Sequence, residues 1–421
     1  MKTNLSQEWV FPFVLFAFSA VGVSYVNIVF NANIRWLALL GLALALLIRG
    51  KLFSLFDNKL IIPVFPYLSW CFATVIWSEV PLLSFEKSFA VVFTAVTFIG
   101  GGMAWSRAVR SEHRLLYLLP VALLALLAGT GQTANSLNAS SGDLVIYQGL
   151  TGNPNFLSVL ATMMLPLGLY YGLETNRNRA NYWIPIAGLI GIVASLVLLW
   201  ITASRASMLC ALAIGAAYAM SISAGRALII LTIAITITVG AGIAVPAAEE
   251  GVYERFVVKG ETGDDIFASR RTNWAETYDA AVKGGAFGLG YGVSAGEKEF
   301  TVGLEAINYG REKGNSQLAI WEETGQIGLM LYSLIIFQIL FLLPGRISTL
   351  HSRNDRIQAT LVMGVTVGLI FQSIFEAWWS SPGSIEGACF WASLGVVWGI
   401  VDQDPYTARV RRPSSLASRL N

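Results

Sequence analysis

Apolar runs of membrane-spanning length recur along the whole chain and limit what it can fold into. A helix needs about 17 to 25 mostly apolar residues to cross a hydrocarbon core about 30 Å thick. The 421-residue sequence contains twelve candidate spans: 9–30, 35–49, 61–77, 87–105, 115–130, 156–173, 182–201, 205–223, 227–247, 318–343, 358–376 and 386–401. We therefore expect an all-α polytopic membrane protein, with residues 1–421 forming a single integral membrane domain.

The composition agrees and excludes several classes of protein. Hydrophobic residues make up 55% of the chain and charged residues 13%, compared with about 25% charged in soluble proteins. A net charge of +2 with scattered basic residues does not suggest nucleic-acid binding. Cys71, Cys210 and Cys389 lie in or beside apolar runs without metal-ligand spacing. No motif for a nucleotide or metal stands in a suitable context, so we expect no cofactor and no metal.

The charges of the connecting segments alternate. One set is basic and contains Arg49, Lys51, Lys59, Arg107, Arg110, Arg114, Arg177, Arg179, Arg226, Arg346, Arg353, Arg356 and the basic tail 402–421. The opposite set carries mainly Glu79, Glu86, Asp143, Glu376 and Glu386. Positive residues remain in the cytoplasm, which places both termini there. Arg35 is an exception, at the outer end of the second span.

Two longer connections fall on the outer side. Residues 248–317 contain RRTNWAETYDAAVKGGAFGLGYG, in which apolar residues at helical spacing precede a glycine-rich turn. We expect a small helical subdomain there, on the outer membrane face. The segment 131–155 ends in GLTGNPNFLS, where Asn153 and Asn155 flank a proline and are suited to turn the chain and cap the next helix.

Arg205 stands out in LLWITASRASMLCALA because apolar residues surround it for a dozen positions on either side. A charged residue at such depth is costly and is a functional candidate by default. The alternative is an arginine at a helix end that reaches the outer headgroups. Thr202, Ser204 and Ser207 add hydroxyl groups nearby, as in a polar cavity.

Arg270 and Arg271 form a second candidate for anion binding. They precede Trp274 at a predicted helix start in the outer segment. A guanidinium group binds two phosphate oxygens at once, and helix N-termini favour anions. Taken alone, each arginine is an ordinary surface charge. Together with Arg205 on the same side of the membrane, they are suited to cradle a lipid diphosphate.

An outward general base has few candidates. Both histidines, His113 and His351, lie in connections assigned to the cytoplasm. The candidates by position are a lysine and four carboxylates: Glu312, Lys313, Glu322, Glu323 and Glu376. Glu322 and Glu323 lie near a predicted helix start, where desolvation raises a carboxylate pKa. The alternative for this pair is a capping or solvated acidic pair.

Four segments together resemble the O-antigen ligase and O-antigen polymerase family of bacterial envelope enzymes. They are GLTGNPNFLS, TASRAS, SRRTNWAETYDAAVKGGAFGLGYG and GNSQLAIWEETGQIGL. Their order and spacing carry the resemblance, which covers about residues 145–335 and the twelve-span layout.

The resemblance implies a multi-pass protein of the bacterial inner membrane, with 248–317 as a periplasmic loop subdomain. It implies a metal-independent glycosyltransferase with an undecaprenyl-diphosphate-linked glycan as donor and inversion at the anomeric carbon. Carried over by motif, Arg205 and Arg270, or Arg271 in place of Arg270, bind the diphosphate. The supporting residues are Asn153, Asn155, Ser204, Trp274 and Asn315. The implied partners are membrane lipids, a glycan or lipid A-core acceptor, and a flippase or chain-length regulator.

At position 314 the sequence departs from the family pattern. Ligases of this family typically carry His-Asn before the tenth span, whereas this chain has Gly314-Asn315. Glycine cannot take a proton, so we favour a polymerase of O-antigen or exopolysaccharide repeats over a ligase. A transporter of small solutes such as bicarbonate stays an alternative. Such a transporter should show broken helices or charges near the bilayer midplane, and the sequence shows few.

Overall fold

The chain folds as a bundle of helices. A computed structural model describes residues 9–56, 58–131, 146–174, 182–222, 268–295 and 313–403. This part of the chain is 80% helix and contains no strand. The α-helices are α1 Val10–Ala20, α2 Ala32–Ile48, α3 Val64–Ala73, α4 Pro81–Ala108, α5 Leu119–Gly129, α6 Pro154–Thr162, α7 Met164–Leu169, α8 Trp183–Thr202, α9 Arg205–Ser221, α10 Ala268–Gly284, α11 Ser316–Phe337, α12 Leu343–Ser348, α13 Arg353–Gln372 and α14 Ile385–Asp402, and shorter 3-10 and π-helical turns connect several of them.

Helices overlap the predicted spans wherever the structure describes them, and the ninth predicted span, 227–247, lies outside the described residues. Within the described ranges, six stretches are long and apolar enough to cross a membrane: Pro81–Ala108, Ser111–Gly129, Pro154–Glu174, Trp183–Thr202, Ser316–Ser348 and Ile385–Asp402. Four shorter apolar helices accompany them: Val10–Ala20, Ala32–Ile48, Val64–Ile76 and Arg205–Ser221. The described part of the chain is therefore all-α, and its long apolar helices indicate a membrane-embedded protein.

Burial divides the helices into inner and outer ones. The most apolar window of α14 is 89% buried and that of α8 only 22% buried. The exposed face of α8 presents Ile190, Val193 and Val197. A continuous apolar face of this kind is suited to lipid, because in water it would be a large exposed patch. The centre of the bundle is α14, packed between α4 and α13.

Glycines allow α4 and α14 to approach closely. A Cβ added to Gly102 would lie 2.5 Å from the carbonyl oxygen of Ala392. A Cβ on Gly395 would lie 2.3 Å from the carbonyl oxygen of Ile99. Small residues at helix crossings increase van der Waals contact where the surrounding lipid gives no hydrophobic driving force.

Ion pairs join several helices at one end of the bundle, here called the basic end. Arg114 donates to Asp355 Oδ1 at 2.7 Å and to Gln403 Oε1 at 2.7 Å. Arg107 pairs with Asp402. These contacts connect the end of α4, the start of α13 and the end of α14. Arg107 and Arg114, which the charge pattern assigns to the same side of the membrane, therefore lie at the same end of the bundle.

Arg35, the exception to the charge pattern, lies toward the opposite end and is buried. Its Nη1 donates to the carbonyl oxygen of Gly383 at 2.9 Å, in the connection between α13 and α14. Its guanidinium carbon lies 5.8 Å from the centre of the Phe18 ring. Burial and these protein contacts explain why Arg35 departs from the charge pattern of the connections.

The α4–α14 contact predicts that Gly102→Leu destabilises the protein. The added side chain would collide with backbone, and overpacking costs about 1–3 kcal/mol. Gly41→Leu on α2 is the matched control, since a Cβ there meets nothing within 4 Å. Thermal unfolding of both variants in detergent measures the difference. Equal stability of the two variants would contradict the close approach.

Candidate functional site

Helix α11 is broken at Gly325, whose φ of 71° and ψ of −172° are not helical. Before the break, the carbonyl oxygens of Glu322 and Glu323 accept N–H groups from segment 285–290 at 2.9 and 3.0 Å. After the break, the N–H groups of residues 326 and 327 donate to carbonyls of the same segment, both at 3.2 Å. The segment therefore supplies partners for backbone groups that a continuous helix would pair internally.

The glycine-rich stretch that follows α10 is the turn that the sequence predicts. Gly290 and Gly292 have φ values of 115° and 78°, a region that glycine occupies at little cost. A Cβ on Gly292 would lie 2.1 Å from Lys87 Cδ. Tyr291 is fully buried, and its N–H donates to Thr74 Oγ1 at 2.9 Å. This stretch thus inserts among α3, α4 and α11.

Three predicted catalytic candidates form one buried ionic triad. Lys313 Nζ lies 2.7 Å from Glu323 Oε1 and 3.3 Å from Glu322 Oε2. The three side chains are 4%, 1% and 0% exposed, respectively. The N–H of Gly292 donates to Glu323 Oε2 at 2.8 Å, and that of Ala295 donates to Glu322 Oε1 at 2.9 Å. The alternative of a solvated acidic pair is therefore wrong.

The fourth catalytic candidate, Glu312, lies outside the described residues. The triad itself was not predicted as a unit. The sequence signals are a lysine nine and ten positions before the two residues of an acidic pair, and a glycine, Gly325, in the apolar run that follows. The sequence suggests few buried charges and few broken helices within the spans. The structure shows both here, in the ionic triad and in the break at Gly325.

Glu376 connects two predicted residues at the end opposite the basic end. Arg270 Nη2 lies 3.0 Å from Glu376 Oε1, and Asn155 Nδ2 donates to the same oxygen at 3.0 Å. Arg270 Nη1 also donates to the carbonyl oxygen of Gly314 at 3.3 Å. Trp274 Nε1 donates to that carbonyl at 2.9 Å. Three distant segments of the chain therefore meet around one guanidinium group.

The structure separates the two neighbouring arginines of α10. Arg270 is half-buried and turned toward Glu376, whereas Arg271 is exposed. Successive residues on a helix point about 100° apart, so the two side chains leave the helix in different directions. Arg270 therefore belongs to the site, and Arg271 lies on the surface of the same helix.

Gly314 leaves space beside Arg270. Its φ is 63°, and an added Cβ would lie 3.4 Å from Trp274 Nε1 and 3.9 Å from Arg270 Nη1. The next residue, Asn315, caps α11 by accepting the N–H of Leu318 at 2.8 Å. A side chain at position 314 would thus contact the site, although none is present.

Two further helices begin next to this group. Asn153 Oδ1 accepts the N–H of Asn155 at 2.8 Å, which confirms the predicted cap of α6. Ser158, one turn further along α6, lies 2.7 Å from the hydroxyl of Ser207 in the first turn of α9. Arg205 is the first residue of α9. The start of α9 therefore lies next to the start of α6.

Ser204, the residue before α9, contacts the first turn of that helix. Its hydroxyl donates to Ser207 Oγ at 3.3 Å, and the Ser158 hydroxyl donates to the carbonyl of Asn155 at 2.7 Å. A chain of hydrogen bonds thus runs from the start of α9 through α6 to Glu376.

Chemically, this end of the bundle combines a guanidinium group with the N-termini of α6 and α9. Helix N-termini carry partial positive charge and unpaired N–H groups, which stabilise anions. Arg270 is 25% exposed in its side chain, so a ligand can reach it. The arrangement suits an anion with several oxygens, such as a phosphate or diphosphate.

Comparison with protein-family models and with curated proteins found no match to this chain. The site residues therefore supply the support for its function. These residues form two groups. One group is Asn155, Arg205, Arg270 and Glu376, and the other is the ionic triad of Lys313, Glu322 and Glu323.

The triad predicts that Lys313→Met strongly destabilises the protein. Removing one partner leaves two buried carboxylates without their cation, which costs about 3–5 kcal/mol. Lys283→Met is the control, because Lys283 is exposed on α10 and surface changes cost within about 0.5 kcal/mol. Unfolding in denaturant gives both values, and an unchanged stability of Lys313→Met would rule out a structural role for the triad.

Proposed function

We propose that this protein is a glycosyltransferase of the bacterial inner membrane that polymerises O-antigen or exopolysaccharide repeat units on the periplasmic face. The donor is an undecaprenyl-diphosphate-linked glycan, and the reaction is inverting and metal-independent. The proposal includes twelve spans and cytoplasmic termini. Its main support is Arg270, held by Glu376 beside the start of α6, together with the four segments that resemble the O-antigen family.

Arg270 and Arg205 bind the donor diphosphate in this proposal. Each guanidinium fork is able to hold two oxygens, and the nearby helix N-termini add partial positive charge. The diphosphate takes the place of Glu376 on Arg270. Glu376 then keeps Asn155, whose amide donates to it at 3.0 Å, and loses its cation.

Glu376 is then placed to act as the general base. The acceptor hydroxyl oxygen attacks the anomeric carbon of the donor sugar while the bond from that carbon to the diphosphate oxygen breaks. The hydroxyl proton passes to Glu376, and the electron pair of the broken bond leaves with the diphosphate. Arg270 and Arg205 stabilise the charge that develops on the leaving group, which together with positioning supplies most of the catalysis.

The ionic triad positions the site in this proposal. Lys313 is anchored to Glu322 and Glu323, and the next residue, Gly314, offers the carbonyl that Arg270 and Trp274 share. Both carboxylates of the triad already accept a charged and a backbone donor. The base is therefore assigned to Glu376, which lies beside the cationic group of the site.

Position 314 favours the polymerase over the ligase. A histidine there would contact Trp274 and Arg270, given the 3.4 and 3.9 Å distances from an added Cβ. Such a residue would be in place to serve as the base that the ligase pattern requires. With Gly314, the base must come from another element of the chain.

One observation favours the alternative of a small-solute transporter. Broken helices and buried charges are typical of transporter binding sites, and α11 has both, with the break at Gly325 and buried carboxylates at Glu322 and Glu323. In transporters the unwound backbone faces a solute or ion. Here the carbonyls before the break accept N–H groups from segment 285–290, which weakens this alternative.

Arg270→Ala is expected to lower the rate of polymer formation by about 10²–10³-fold, the usual cost of removing a group that stabilises developing charge. Arg205→Ala is expected to have an effect of the same order. Arg271→Ala is the matched control, since this neighbour lies on the same helix and is exposed. Polymer length and amount on gels, normalised to membrane protein level, provide the measurement. Equal effects of Arg270→Ala and Arg271→Ala would remove the diphosphate role.

The products of purified protein distinguish the three functions. Incubation with a lipid-diphosphate-linked glycan alone is expected to give a ladder of chain lengths. A product that forms only when a lipid A-core acceptor is added would identify a ligase instead. Unchanged glycan, with solute uptake by vesicles that contain the protein, would support transport.

A further inference from the structure

A groove lies on the side of the bundle, away from the anion site. It has a volume of about 480 Å³ and lies between α5, α7 and α8. Nearly all of its lining is apolar or glycine, and its polar residues are His113 and Tyr171. Tyr171 donates its hydroxyl to the carbonyl of Glu112 at 2.8 Å. The hydroxyl hydrogen of Tyr171 is therefore already used in a hydrogen bond. The apolar interior of the groove is suited to a hydrocarbon chain.

Glycines shape the groove. A Cβ on Gly188 would lie 2.3 Å from the backbone N of Gly172, and one on Gly168 would lie 2.9 Å from the carbonyl of Gly188. These contacts bring α7 and α8 together along one edge. Gly191, one turn further along α8, also lines the groove, and a Cβ there meets nothing within 4 Å. The groove is thus open at Gly191.

The groove lies within one leaflet of the membrane. Tyr182 and Trp183, at the start of α8, are 64% and 63% exposed with ring centres 4.9 Å apart. Exposed aromatic residues of this kind mark the membrane interface. From Ile184 to Gly191 the helix rises about 10 Å, which is less than the roughly 15 Å depth of one leaflet's hydrocarbon.

His113 and, three residues before it, Arg110 lie toward the end of the groove that faces this interface. His113 lines the groove, and its side chain is 47% exposed, with Nε2 3.6 Å from Glu112 Oε1. The N–H of His113 donates to the carbonyl of Arg110 at 2.9 Å. Arg110 is exposed and forms no ion pair with any carboxylate that the structure describes. A negative headgroup at this position would meet an available cation.

We propose that this groove binds one acyl chain of an anionic phospholipid, with its headgroup at Arg110 and His113. The length of the groove limits the occupant to a single leaflet, and the positive charge of Arg110 favours a negative headgroup. Since the bilayer is as apolar as the groove, the hydrophobic effect gives little preference for one lipid. Preference comes from the headgroup charge, about fivefold for one arginine near the surface.

The first test fills the groove. Full-length protein in detergent is incubated with equal amounts of phosphatidylglycerol and phosphatidylcholine, and bound lipids are counted by native mass spectrometry. Gly191→Phe is expected to bind one lipid fewer than wild type. Gly215→Phe on α9 is the matched control, because a Cβ there also meets nothing within 4 Å and Gly215 does not line the groove. Equal lipid counts for the two variants would overturn the proposal.

A second variant keeps the test decisive if Gly191→Phe misfolds. Leu126→Trp fills the groove from α5, where this leucine lines it and is 39% exposed. It is expected to bind one lipid fewer as well. If Leu126→Trp binds as many lipids as wild type, the groove does not hold an acyl chain.

The headgroup is tested by the ratio of the two lipids. Wild type is expected to bind phosphatidylglycerol about fivefold over phosphatidylcholine, and Arg110→Ala to lose most of that preference. Equal binding of both lipids by wild type, or an unchanged preference in Arg110→Ala, would contradict recognition of an anionic headgroup at this place.

Discussion

The exchange of backbone hydrogen bonds around Gly325 holds the site together. Inside a bilayer, backbone that is not helical is tolerated only where protein or water satisfies its N–H and C=O groups. Segment 285–290 meets that requirement for both halves of α11, with four hydrogen bonds of 2.9 to 3.2 Å. The segment can enter because Gly288 and Gly290 adopt positive φ values and lack side chains.

Several features of the site follow from this exchange. The break leaves Glu322 and Glu323 at the end of a short helical half, where Lys313 and the N–H groups of the inserted stretch reach them. The ion pairs hold Lys313 in place and thereby position the next residue, Gly314. Because the Gly314 carbonyl accepts from Arg270 and Trp274, the buried charges and the half-buried guanidinium of Arg270 are linked through two adjacent residues.

Sequence patterns and the structure agree most where information is local. Apolar runs predict spans because the bilayer selects for length and hydrophobicity within each segment. The cap at Asn153 and the glycine turn after α10 also follow from short-range chemistry. The break at Gly325 was not predicted, since a single glycine in an apolar run is compatible with a continuous helix and breaks it here only together with the inserted segment.

The sequence by itself determined the helical membrane class, the alternation of basic and acidic connections, and a set of candidates that includes Arg205, Arg270 and Glu376. Only the tertiary structure decided which arginine faces Glu376 and what surrounds the acidic pair of α11. Arg270 and Glu376 are 106 residues apart, and Asn155 is 221 residues from the same carboxylate. Contacts over such separations depend on how helices rotate and pack against one another, and neither rotation nor packing can be derived from the hydrophobicity of a single segment.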